Sequence, residues 1–158
     1  MSTRFLSFDA STKHTGYAFF ENGKLIDAKV INVENSDCEM RIKEMGLLIL
    51  KCMDYYNPEI VWIEDTYCGG NKSTQRKLDR LQGVVFSWCL LNDADFQLVM
   101  PKGWRKLIPN FPVSAKREEA KLYSINYVKE KYGVNVTDDI ADAICIGEAA
   151  IRFFDDMG

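Results

Sequence analysis

Apolar and polar positions along the chain divide it into short strands and longer helices. Residues 4–9 (RFLSFD) alternate and predict a strand. Residues 15–21 and 24–31 predict two more, joined at Asn22-Gly23, a pair suited to a two-residue hairpin turn because both positions accept positive φ. From 37 to 56, Met40, Ile42, Met45, Leu48, Ile49, Cys52 and Met53 recur near a 3.6-residue period, which predicts a helix. Pro58 separates it from a buried-looking strand over 59–64 (EIVWIE). A loop containing Gly69-Gly70 spans 65–72, followed by a helix over 73–91 and a strand over 96–100. Residues 101–112, with Trp104 and three prolines, read as irregular. Ser114 starts a helix that runs to about 132, with Glu118 near its first turn, and residues 138–155 form the last helix. A meander of three strands followed by alternating helices and strands requires a mixed α/β sheet with helices packed on it.

Composition narrows the class. The 158 residues fit one domain, 1–158, and are too few for a two-lobed kinase or a multi-domain polymerase. Aromatic residues make up 12% and the net charge is −3, which opposes disorder. No apolar run approaches the roughly 18 residues of a membrane span, and the chain reaches Asp9 without a signal-peptide core. Five cysteines without CxxC spacing and a single histidine leave a structural zinc site or a histidine-based triad very little to build with. Reduced thiols in a cytoplasm are expected.

Charge is segregated. Residues 72–131 hold 12 Lys/Arg against 6 Asp/Glu, while the rest hold 8 against 17. A basic middle between acidic ends suits a protein that offers phosphates one cationic surface, and it equally fits ordinary solvated helix faces.

The acids stand in places that ought to be apolar. Asp9 ends the run Phe5-Leu6-Ser7-Phe8, and Glu64 ends Ile60-Val61-Trp62-Ile63. Both fall at the C-terminal ends of central-looking strands, where side chains open onto the crevice of an α/β sheet. Between Asp139 and Ile151 the only charged residues are Asp139, Asp142 and Glu148. Asp139 and Asp142 are three apart and share a helix face. Asp138 and Asp139 can be read as helix-start residues favoured by the dipole, but Asp142 lies a turn further in. With no Lys or Arg nearby in the sequence, a cation from solution is the expected partner of an acid on so apolar a helix. All-carboxylate ligation suits Mg²⁺ or Mn²⁺, and four acids from separate segments fit two-metal phosphodiester hydrolysis.

With these residues in view, the chain resembles the RuvC Holliday-junction resolvases, of ribonuclease H-like fold. FDASTKHTGYAFF is similar to that family's opening motif, IEDTY to its second, NKSTQRKLDRLQG to the following helix (at Asn71, Lys77, Leu78 and Gly83), and DDIADAICIG to its terminal Asp-x-x-Asp-Ala. The resemblance implies a five-stranded mixed sheet, its first three strands a meander, with helices on both faces. It also implies that Asp9, Glu64, Asp139 and Asp142 hold two Mg²⁺ or Mn²⁺ ions, with Asp138 as the neighbour that could replace Asp139. Tyr67 falls where the family places an aromatic near the crossover, and Arg105 and Lys116 fall near its basic positions. Lys72, Arg76, Lys102, Lys106 and Arg117 add charge, and Trp104 is expected to be buried beneath. The implied activity is resolution of four-way and related branched DNA by paired nicks with 5′-phosphate ends, carried out by a homodimer.

Leu78, Leu81, Val85, Trp88 and Cys89 form the stripe expected at the dimer interface or, alternatively, against the sheet. Gly69-Gly70 loosens the loop after Glu64, and Gln82 stands where a basic residue is expected. The length is compatible with a phage-encoded member. Three other readings compete. Asp9-Ala-Ser-Thr-Lys-His-Thr-Gly also resembles the phosphate loop of sugar kinases and actin-like ATPases, which need a second lobe. A ribonuclease H acting on RNA–DNA hybrids uses similar acids, and a catalytically weak branched-DNA-binding protein would keep only the surface. His14 is expected to be a solvated turn residue.

Overall fold

The computed structural model describes residues 3–65 and 67–157. Five strands, β1 (Arg4–Asp9), β2 (His14–Glu21), β3 (Lys24–Asn32), β4 (Ile60–Glu64) and β5 (Asp95–Val99), form one sheet in the order β3-β2-β1-β4-β5. The first three are antiparallel neighbours, and β4 and β5 join parallel to β1. Asn22 and Gly23 turn the β2–β3 hairpin with φ of 53° and 78°, the left-handed pair that a two-residue turn needs.

Helices cover both faces, as expected. On one side lie α1 (Cys38–Tyr56) and α2 (Lys72–Leu91); on the other lie α3 (Pro101–Arg105), α4 (Arg117–Tyr132) and α5 (Asp138–Met157). The Asp37 carboxylate starts α1 by accepting the Met40 N–H at 2.9 Å, and Asn57 closes it at φ 47°. Among the described residues, no helix is long and apolar enough to cross a membrane.

Strand parity decides which face each residue serves. Leu6, Phe8, Val61 and Ile63 point to α1 and α2. Phe5 and Trp62 point to the α5 side, and so does Ser7, whose Oγ donates to the Ala143 carbonyl at 2.6 Å. Continuing the same alternation puts Asp9 and Glu64 on the α5 side at the C-terminal edge. β1 and β4 run in parallel with Phe8 opposite Ile63, so these two acids leave adjacent strands at one level.

α5 is held unusually close to the sheet. A Cβ on Gly16 would lie 2.1 Å from the Asp139 carbonyl oxygen, and one on Gly147 would lie 2.1 Å from Phe20 Cε1. Gly16 is the β2 partner of Asp9, so this close approach sets the first turn of α5 beside Asp9.

Three expectations are corrected. The segment 101–112 contains α3, a single turn started by Pro101, whose missing N–H costs nothing at that position. The fourth helix begins at Arg117, not Ser114, and its N-cap Lys116 makes no side-chain cap bond. Leu81, Val85, Trp88 and Cys89 form the sheet-facing core of α2 and not a subunit interface. Leu78 is half-buried and lines the acidic groove described below.

Gly16→Ala should cost about 1–3 kcal/mol or more, because the methyl meets backbone that cannot rotate away. Thermal unfolding should show Tm lowered by roughly 2–4 °C per kcal/mol; an unchanged Tm would mean that α5 does not approach β2 this closely.

Candidate active site

A groove of about 810 Å³ opens at the C-terminal edge of β1 and β4. Asp9, Glu64, Asp139 and Asp142 all line it, each half-buried, together with Asp138. The four expected acids thus come from three elements: Asp9 from β1, Glu64 from β4, and the aspartate pair from one face of α5. Among the described residues, no three Asp, Glu, His or Cys side chains stand close enough as they are to ring a metal ion. The donor set, all carboxylate oxygen around an open space, fits a hard divalent ion.

The electrostatics bear the mark of this crowding. Burial, and then the charges of Glu64, Asp142, Asp139 and Asp138, push the Asp9 carboxyl well above the ordinary range. Burial pushes Asp142 up to about 7, with Glu64 and Asp138 adding to the rise and Arg105 opposing it. Asp139 is also raised, by burial and then by Asp138, while His14, Lys121 and Arg117 pull the other way. Asp138 has its own partner, the Lys121 ammonium at 3.2 Å, a cation from α4 that spacing along α5 could not reveal. Asp139 makes no comparable ion pair among the described residues, which sets the two neighbours apart.

The expected basic and aromatic residues divide. Tyr67, 77% exposed, lines the groove, as do Arg105 and Arg117. Lys72, Arg76, Lys102, Lys106 and Lys116 are exposed and do not line it. They sit on α2, on α3, just after α3 and at the start of α4, elements that border the groove. The Arg105 guanidinium lies over the Trp104 and Phe111 rings, 5.5 and 5.6 Å from their centroids, and its buried Nε has no hydrogen-bond partner among the described residues. Trp104 is fully buried, as expected.

The RuvC family profile, described as crossover junction endodeoxyribonuclease RuvC, matches residues 5–148. The chain belongs to the RuvC family. Members are metal-dependent endonucleases, and so is this chain. It is similar to the crossover junction endodeoxyribonuclease RuvC of Caldicellulosiruptor saccharolyticus, 24% identical over 152 residues that cover 90% of this chain and 89% of the relative. Two solved structures share its fold. T. thermophilus RuvC in complex with Holliday junction substrate superposes with a TM-score of 0.74 at 15% identity, covering 99% of this chain and 96% of that one. Fowlpox virus resolvase with substrate Holliday junction DNA gives 0.62 at 18%, covering 96% and 99%.

The RuvC-type groove also contains residues that sequence reasoning did not assign to it. Lys77 and Lys121 line it from α2 and α4. Arg41 reaches it from α1, its Nε donating to Thr12 Oγ1 at 3.1 Å and its Nη1 to the Asn35 carbonyl at 2.9 Å. Lys77 had a signal, its place in the matched helix motif; Arg41, outside the basic segment, had none. His14 lines the groove as the first residue of β2, with Nδ1 2.7 Å from Asn32 Oδ1. Gln82, the departure before Gly83, is buried with its amide nitrogen 3.4 Å from Asp65 Oδ1.

A carboxyl with a folded-state pKa above its unfolded value binds its proton more tightly when folded. Its contribution to stability is therefore full at low pH and lost as pH rises through the folded value, here between about 4 and 7 for Asp142. Metal-free Asp142→Asn should therefore be more stable than the parent at pH 8 by about 1–2 kcal/mol, or roughly 2–8 °C in Tm, allowing for an open groove. Thermal melts in chelator should show the gain shrinking toward pH 5; a gain independent of pH would contradict the assignment.

Proposed function

We propose that Asp9, Glu64, Asp139 and Asp142 hold two Mg²⁺ or Mn²⁺ ions, and that the chain resolves four-way DNA junctions by paired nicks that leave 5′-phosphates. The observation that carries this reading is the convergence of four acids from β1, β4 and α5 on one groove, with the Asp9 and Asp142 carboxyls raised by burial and by neighbouring carboxylates. When bound, such ions lower the pKa of an attacking water and neutralise charge on the leaving oxygen of an in-line displacement.

The chain's own residues do the rest. Arg105 and Arg117, with Lys77, Lys121 and Arg41, put cations along the groove walls. The unpartnered buried Nε of Arg105 needs an acceptor, and a backbone phosphate is one. Lys72, Arg76, Lys102, Lys106 and Lys116 extend that charge outward, so affinity should be largely phosphate-borne and salt-sensitive. Tyr67, exposed on the loop after β4, offers a ring on which an unpaired base at the crossover can stack. Branch shape, and not base edges, then supplies the specificity.

Paired nicks in a two-fold junction call for two active sites, hence a homodimer. With the Trp88 face of α2 committed to the core, the outward face remains. Gly83, Phe86 and Leu90 recur there at helical spacing, with Phe86 45% and Leu90 67% exposed. Residues 1–158 act in this reading as a single nuclease domain in the cytoplasm, where its thiols stay reduced.

Asp142→Asn should bind a four-way junction with unchanged affinity in a gel-shift assay while its Mg²⁺-dependent nicking falls below detection; undiminished nicking would refute the metal assignment. Leu90→Glu should shift sedimentation from dimer to monomer and turn paired nicks into single ones. A dimer that persists would move the interface elsewhere.

A further inference from the structure

We infer that Trp104 is a positioning residue for Glu64, a role that rests on Glu64 being a metal ligand. The route from sequence to contact is short. Val99, the last residue of β5, is paired with Glu64 at the end of β4, and the Asp65 N–H continues that pairing to the Val99 carbonyl at 2.8 Å. Met100 and Pro101 then turn the chain directly into α3. Its single turn is closed by the Trp104 N–H on the Met100 carbonyl at 3.2 Å. That turn swings the Trp104 indole back under the end of β4. There Nε1–H donates to Glu64 Oε2 at 2.6 Å, a short and charge-assisted bond.

The ring has no freedom to do anything else. Trp104 is fully buried, packed edge-on against Phe111 at 5.3 Å and covered by the Arg105 guanidinium. A buried indole N–H needs an acceptor, and this one has a carboxylate oxygen of the candidate site. Glutamate carries three side-chain torsions, and engaging one oxygen from a rigid donor removes much of the freedom that metal binding would otherwise have to quench. Asp9 sits on a strand and the aspartates on a helix with short side chains; Glu64 is the long, flexible member, so a fixed donor matters most for it. Trp104 is buried as expected from the sequence, but its indole N–H also engages the candidate site.

The same chemistry occurs away from the groove and provides a control. Trp88, on the opposite face, donates Nε1–H to Asp54 Oδ1 at 2.7 Å. The test is Mn²⁺ binding to the DNA-free protein, followed by the electron paramagnetic resonance of unbound ion. Trp104→Phe should weaken Mn²⁺ binding roughly 10-fold, with junction binding in chelator unchanged, while Trp88→Phe should leave Mn²⁺ affinity at the parent value. If Trp104→Phe binds Mn²⁺ as the parent does while Glu64→Gln loses it, the positioning role is wrong and the metal site stands. If Glu64→Gln also binds normally, the metal assignment of Glu64 fails first. Should Trp104→Phe not fold, the parent protein decides the matter. The assigned Trp104 indole N–H resonance should move on Mg²⁺ addition more than those of Trp62 and Trp88, and an unmoved resonance overturns the inference.

Discussion

Contact between the first turn of α5 and β2, with no room for a side chain at Gly16, is the constraint on which the site depends. It brings Asp139 beside Asp9, and the helical repeat then carries Asp142 to the same groove. The parallel pairing of β1 with β4 supplies Glu64 at the same level. Ser7 and Gly147 keep the rest of α5 equally close, one by a buried hydrogen bond to Ala143 and the other by leaving space for Phe20. The fold thus brings like charges together, a costly arrangement that its apolar core must offset.

α5 shows the contrast between a buried acid that is structural and acids that are poised for chemistry. Among the described residues, Glu148 is the charged residue that is buried outright, 6% exposed. Burial alone would raise its pKa, yet bonds from Lys131, Tyr132 and Arg152 hold it below the usual carboxylate range. Tyr127 adds a further hydroxyl at 3.3 Å. At Asp9 and Asp142 burial and neighbouring carboxylates prevail, Arg105 only partly offsetting the rise at Asp142, and both are pushed upward instead. Perturbation by desolvation and like charge, in a cleft edged by cations, is the electrostatic support for the proposed binding of a cation and a phosphate there.

Much of this was legible in the sequence because short-range rules carry it. Period-2 alternation located β1 and a short apolar run after Pro58 located β4, each to within a residue, and Asn22-Gly23 placed the hairpin. The acids were found because each ends or interrupts an apolar run. What could not be read depends on contacts distant in sequence. Lys121 neutralises Asp138 and Arg41 enters the groove only because helices are juxtaposed in space. The apolar stripe of α2 could face either the sheet or a second copy, since periodicity identifies an apolar face and not its partner. Ser114 resembled a cap by residue type, yet the helix waits until Arg117. The weight carried by Gly16 was invisible, because a glycine in a strand looks the same whether it is merely tolerated or required.

The most direct measurement is anomalous diffraction from crystals grown with Mn²⁺. The expected result is manganese peaks inside the groove, within coordination distance of carboxylate oxygens from Asp9, Glu64, Asp139 and Asp142. Manganese bound elsewhere on the protein, with those four carboxylates left unligated, would contradict it.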